Sequence, residues 1–139
     1  MKYQTTTEHQ TFALGKKLAQ TLRGGELILL QGELGSGKTV LAKGIGAGLG
    51  IRKTITSPTF FLFNIYPVKK HPTIKRLVHA DCYRLKSGRD IVEAGLGDYL
   101  GQADTVVVVE WGEKLPRKLQ QGVRVHFRVL KNQRSIVVS

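Results

Sequence analysis

Apolar residues recur along this chain with helix-like and strand-like periods in turn. Phe12, Leu14, Leu18, Ala19 and Leu22 make a stripe that predicts a helix over residues 9–22, ended by Arg23-Gly24-Gly25. Leu27 to Leu30 is a continuous apolar run bounded by Gly25 and Gly32, the pattern of a buried parallel strand. Leu41, Ile45 and Leu49 then mark one face of a second helix. Gly44, Gly46 and Gly48 weaken it by up to about 1 kcal/mol each, so a phosphate bound at its N-terminus is expected to help hold it. Phe60–Tyr66 is aromatic-rich and predicts a strand, Tyr66–Lys75 an exposed hairpin loop, and Leu77–Tyr83 a further strand. Ser87–Leu100 predicts a short helix with Ile91, Ala94 and Leu96 inward. Val106–Val109 is the most β-prone run. Val123, Val125, Phe127 and Val129 alternate with Arg124, His126 and Arg128, predicting a strand with one buried and one basic face, and Lys131-Asn132 turns it into Ser135–Val138. The expected fold is α/β: a mostly parallel central sheet with flanking helices and a C-terminal antiparallel hairpin, as one domain over residues 1–139.

With 139 residues and 41% apolar side chains the chain can bury one core, and is short for two domains. No apolar run approaches the roughly 20 residues of a membrane span, and Met1–Gln10 has no signal-peptide character. The single cysteine, Cys82, rules out an intrachain disulfide framework, which points to a reducing cytoplasm and a buried apolar role for that side chain. His79 and His126 have no histidine or cysteine at ligand spacing, so zinc is not expected. The net charge of +12 is unevenly distributed. Residues Leu34 to Ala80 contain no acid, nor do Lys114 to Ser139. That asymmetry suits either a phosphate- or carboxylate-rich partner, RNA first among them, or a plain basic surface.

Gly32-Glu33-Leu34-Gly35-Ser36-Gly37-Lys38-Thr39 fits the phosphate-binding loop G-x-x-x-x-G-K-[ST], or Walker A motif, at every position. Its glycines let successive N–H groups turn toward phosphates, Lys38 can reach the β and γ oxygens, and the Thr39 hydroxyl can ligate Mg²⁺. An apolar strand precedes it and a helical pattern follows, as the motif requires. Such a loop needs a carboxylate at the end of a neighbouring strand. Val106–Val109 delivers Glu110, read as a metal-site residue in preference to a strand-end salt bridge. Leu77–Ala80 delivers Asp81, which could position the attacking water, join the metal's outer shell, or pair with Arg84. Thr59, in Ser57-Pro58-Thr59, fits a segment sensing the γ-phosphate or an ordinary proline turn, and Trp111 fits either the nucleotide site or the core.

These motifs, together with His79-Ala80-Asp81-Cys82-Tyr83-Arg84 and Glu110-Trp111-Gly112-Glu113-Lys114, occur in the order of the TsaE (YjeE-type) family. That family comprises small bacterial ATPases of threonylcarbamoyladenosine (t6A) synthesis on tRNA, and the resemblance covers roughly residues 5 to 139. It implies a P-loop ATPase fold binding ATP or ADP with Mg²⁺. The nucleotide would be held by Glu33, Leu34, Gly35, Ser36, Gly37, Lys38, Thr39 and Val40, with Thr39 and Glu110 on the metal and Lys38, Asp81 and Glu110 serving hydrolysis. It further implies Thr59 in a switch-like segment, Trp111 beside the site, and Glu8, Gln133 and Arg134 flanking the adenine. The implied partner is the TsaD–TsaB pair, reset by hydrolysis between rounds of transfer to tRNA. From this sequence rather than the family, the basic Tyr66–Arg76 loop, with Lys69, Lys70, Lys75 and Arg76, and the Lys114–Arg134 region add a surface for direct contact with tRNA or with an acidic face of the partner.

Two other classes share the P-loop. A small-molecule or nucleoside kinase would need an acceptor pocket and an arginine-bearing lid, for which no segment is obviously long enough. A non-hydrolysing nucleotide sensor or basic RNA-binding module would retain activity without Asp81 and Glu110. Neither accounts for the two later motifs.

Overall fold

A computed structural model of the chain describes residues 1–58 and 62–139. In chain order its elements are β1 (Lys2–Thr5), α1 (Glu8–Ala19), β2 (Leu27–Gln31), α2 (Lys38–Gly48), β3 (Phe63–Pro67), β4 (Arg76–Asp81), α3 (Arg89–Glu93), β5 (Thr105–Glu110), β6 (Val123–Leu130) and β7 (Gln133–Val138). The strands form one seven-stranded sheet in the order β1-β7-β6-β2-β5-β4-β3. The middle four, β6-β2-β5-β4, are mutually parallel, while β3, β7 and β1 add antiparallel edges. The expected α/β fold is therefore present, with its parallel core and its C-terminal hairpin.

Local chemistry sets the element boundaries. Thr7 caps α1 by accepting the Gln10 N–H at 3.1 Å, and the helix stops at Ala19, short of the predicted residue 22. The predicted helix over Ser87–Leu100 is instead the five-residue α3 followed by a single 3₁₀ turn at Leu96–Asp98. Gly95, at φ +126°, breaks the run between them. Of the strand predicted over Phe60–Tyr66, residues 60 and 61 lie outside the described residues, and β3 begins at Phe63. β1 was not foreseen, because its polar sequence buries only Thr5 and its pairing with β7 is formed at the far end of the chain.

Alternating strand residues feed two apolar layers. Ile28 and Leu30, Val106 and Val108, Val125 and Phe127 face α1 and α2 together with Leu14, Leu41 and Ile45. Leu29, Val107, Val109, Val78 and Ala80 face the other way, against Ile91, Leu96 and Leu115. Close approach of α1 to α2 depends on glycine. A Cβ on Gly44 would collide with the Phe12 carbonyl and lie 3.0 Å from the Gly15 Cα, and one on Gly48 would lie 2.6 Å from the Ala19 Cβ. Packing of α2 against α1 thus offsets the helix-weakening glycines that had suggested a need for bound phosphate.

The β3–β4 connection lies at the end of the sheet away from the glycine loop, since β4 runs parallel to β2 and the loop follows the C-terminal end of β2. Lys69, Lys70 and Lys75 are exposed there. Arg76 differs from them in being engaged within the fold. Its guanidinium donates to Asp104 at 2.8 Å and to the Thr105 hydroxyl at 3.0 Å. Among the described residues no helix is long and apolar enough to cross a membrane.

Candidate nucleotide-binding site

Three parallel strands end side by side at the site. β2 runs into the glycine loop, β5 ends in Glu110 and β4 in Asp81, and the register pairs Asp81 with Glu110 directly. Gly37 caps α2 in a left-handed conformation (φ +110°) that directs the following N–H groups into the loop. At Gly32 a Cβ would stand 2.8 Å from both the Phe127 Cβ and the Ser36 Oγ, so the loop closes on β6 only because that atom is missing.

Inside the loop, Lys38 Nζ donates to the Gly32 carbonyl at 2.6 Å and the Glu33 carbonyl at 2.8 Å, and sits 4.3 Å from the centroid of the Trp111 ring. Burial pushes its pKa down, against the opposing pull of Glu110, Glu113, Asp81 and Glu33. Glu110 is 3% exposed and fully engaged: Oε1 accepts the Thr39 hydroxyl at 2.6 Å and Oε2 lies 2.7 Å from His79 Nε2. Asp81 is half-buried and accepts the Tyr83 N–H at 2.9 Å. Burial raises its pKa, that hydrogen bond lowers it, and the neighbouring Glu110 charge raises it further.

Trp111 follows Glu110 in the left-handed region (φ +59°), a backbone state that costs a non-glycine residue about 1–3 kcal/mol and is retained where surrounding contacts enforce it. Those contacts are visible. Its ring packs on Tyr83 at 5.2 Å, and Lys114 Nζ donates to the Tyr83 and Leu85 carbonyls at 2.7 and 2.9 Å. The segments after β4 and β5 are thereby tied together. Cys82, next to Asp81, is fully buried and its thiol is pushed up to about 12, so it is no nucleophile.

A cavity of about 390 Å³ opens over this arrangement. It is lined by Leu34 to Val40 of the loop, by Asp81, Tyr83, Glu110 and Trp111, by Thr6, Thr7, Glu8 and Thr11 at the start of α1, and by Ser57 and Arg134. Most residues singled out in the sequence therefore converge on one space. Glu33 is exposed and enters through its carbonyl on Lys38, while Gln133 is placed opposite Leu130 and does not line the cavity. Thr59 lies outside the described residues. His79, set aside as a zinc ligand, proves to be the buried partner of Glu110. Its signal in the sequence was its place two residues before Asp81 on the same strand, which should have put it on the opposite sheet face from Ala80, beside the end of β5.

The donor set around the loop is a hydroxyl and carboxylates, suited to a hard cation that takes oxygen ligands. No group of three or more His, Cys, Asp or Glu side chains that could hold a metal by itself occurs among the described residues.

The family model described as "Threonylcarbamoyl adenosine biosynthesis protein TsaE" matches residues 5–136. The chain belongs to the TsaE family. Its curated relatives in the family include the tRNA threonylcarbamoyladenosine biosynthesis protein TsaE of Streptomyces coelicolor, 44% identical over 117 residues that span 84% of this chain and 76% of that one. The TsaE of Treponema pallidum is 36% identical over 131 residues, spanning 94% of this chain and 93% of that one. Among solved structures, the crystal structure of YdiB from Bacillus subtilis superposes with a TM-score of 0.71 at 30% identity, covering 99% of this chain and 83% of that chain.

Proposed function

We propose that this chain is the Mg²⁺-dependent ATPase of tRNA threonylcarbamoyladenosine synthesis, and that its hydrolysis resets a TsaD–TsaB complex between rounds of transfer. Family membership supports the pathway. The observation that carries the hydrolytic role is the meeting of the Lys38 loop with two carboxylates, Asp81 and Glu110, at adjacent strand ends in one cavity. A sensor would need the loop alone.

In this reading the loop N–H groups and the N-terminus of α2 receive the β-phosphate, and Lys38 spans the β and γ oxygens. Thr39 and Glu110 hold Mg²⁺, which when bound neutralises charge on the phosphates. Asp81, held by the Tyr83 N–H and not spent on a salt bridge with Arg84, orients the attacking water through its free oxygen. Trp111 and Tyr83 wall the phosphate end against bulk water. Glu8 and Arg134 flank the base at the other end of the cavity, while Gln133, outside it, is left out of this role. Thr59 is assigned to γ-phosphate sensing from its sequence position. Lys69, Lys70 and Lys75 remain exposed at the far end of the sheet for an acidic partner surface.

The test is ATP turnover by the purified protein with and without TsaD–TsaB. Expected is slow basal hydrolysis, clear stimulation by the pair, and loss of about 10²–10³-fold in Lys38→Ala and Asp81→Ala. Tight ATP binding with no stimulation by the pair would remove the proposed reset role. Phosphate transfer to a small acceptor above the water blank would replace it with a kinase.

A further inference from the structure

The C-terminal cations divide by sheet face. Arg134 lies on the side of Ile136 and lines the nucleotide cavity, and Lys114 is held by the Tyr83 and Leu85 carbonyls. Arg124, His126 and Arg128 alternate with the inward-facing Val125 and Phe127, so they point away from α1 and α2. Register extends that outward face across three strands. His126 pairs with Val137 and Val137 with Lys2, while Arg128 pairs with Ser135 and Ser135 with Gln4. Arg124, His126, Arg128, Lys2 and Gln4 are all exposed, Val137 is 38% exposed, and the small Ser135 between Arg128 and Gln4 is buried by its neighbours. The apolar layer on this side of the sheet draws on β2, β3, β4 and β5, and on no described residue of β1, β6 or β7. The result is an uncovered antiparallel sheet face with no acidic residue in any of its strands.

Antiparallel sheets often keep one face in water, but solvated faces ordinarily mix both signs of charge. A face of one sign carries unrelieved repulsion until a polyanion covers it. Side chains two apart on β6 stand about 7 Å from one another, a repeat that lets arginines follow successive phosphates of one strand. Arginine forks match phosphate oxygens in pairs. An acidic protein partner is the weaker fit, since such interfaces centre on large apolar or aromatic anchors, and this face offers only Val137 and the rim residue Leu130. The face carries no Phe, Tyr or Trp and only His126 as an aromatic ring, which likewise favours contact with the backbone of a helical stem over stacking of successive unpaired bases.

We propose that the β6-β7-β1 face docks the phosphate backbone of an RNA stem, through Arg124, Arg128 and Lys2, without reading base sequence. The surface is separate from the nucleotide cavity, and its test does not depend on hydrolysis. Fluorescence anisotropy with a labelled RNA hairpin, its stem about 16 base pairs long, is read over a salt series. Three proteins are compared: the unaltered chain, the variant Lys2→Gln/Arg124→Gln/Arg128→Gln, and Lys69→Gln/Lys70→Gln/Lys75→Gln, which removes the same charge at the far end. The sheet-face variant is expected to bind at least about tenfold more weakly near 0.1 M salt, with a log–log salt slope smaller by about 2–3. The far-end variant should stay within about threefold of the unaltered chain, and changing the stem sequence should matter little. Should the sheet-face variant lose its thermal transition, the charge-keeping Arg124→Lys/Arg128→Lys protein and the single Arg128→Gln protein carry the comparison. Equal losses in both triple variants would reduce the effect to net charge and overturn the proposal. Loss confined to the far-end variant would overturn it in favour of the hairpin, and no binding by the unaltered chain in favour of an acidic protein.

Discussion

Glu110 serves two neighbours at once, the Thr39 hydroxyl at 2.6 Å and His79 Nε2 at 2.7 Å, in surroundings with almost no water. A buried carboxylate is tolerable when its oxygens are satisfied and costly when one partner is removed. His79 therefore holds one oxygen of Glu110 while the other faces Thr39. Its Nδ1 has no partner among the described residues, which fits the tautomer with hydrogen on Nε2 and a bare lone pair toward the core. His79→Leu should weaken Mg²⁺-dependent nucleotide binding by about 10–100-fold. His79→Gln, whose amide can donate from a similar position, should recover most of it. Trp111, the one tryptophan, lines the cavity and reports binding by fluorescence during a Mg²⁺ titration. Identical Mg²⁺ midpoints in all three proteins would show that His79 only fills space.

At the scale of elements, α2 illustrates how packing overrides propensity. Gly44 and Gly48 weaken an isolated helix, yet they bring its backbone against Phe12, Lys16 and Ala19 of α1. Gly44→Ala would gain about 1 kcal/mol of helix propensity, but the added methyl meets backbone that cannot swing aside. Overpacking of this kind costs about 1–3 kcal/mol, so the urea midpoint should fall. A rise would mean that the two helices are free to separate. The elements that were hard to foresee share a cause. β1 has too few buried residues for a periodic signal, and the run predicted as one helix over Ser87–Leu100 is divided by Gly95, whose backbone leaves the helical region.

For the molecule as a whole, the site is assembled from both ends of the chain. Thr6, Thr7 and Glu8 reach the cavity because β1 pairs with β7, and the same pairing brings Arg134 across from Thr5. Nucleotide should therefore stabilise the global fold and not merely order a loop. At a concentration about 100-fold above its Kd, Mg²⁺–ATP should add about 2.7 kcal/mol. Scanning calorimetry should then show Tm higher by roughly 5–10 °C. Chelating Mg²⁺ with EDTA should shrink the shift, and Lys38→Ala should abolish it. An equal shift in Lys38→Ala would place nucleotide binding elsewhere.

The sequence by itself determined the phosphate loop, the carboxylates ending two apolar strands, the parallel core and the uneven charge. Each rests on residues close together in the chain, where hydrophobic period, glycine spacing and strand polarity are read directly. Tertiary structure decided which groups satisfy one another. Glu110 meets partners 31 and 71 residues away, and Arg76 is taken up by Asp104 across 28 residues. It also sorted one acid-free C-terminal segment into a cavity-lining Arg134, a structural Lys114 and an uncovered basic sheet face. Charge and period are local properties of a chain, whereas pairing and sidedness exist only once strands distant in sequence lie in register.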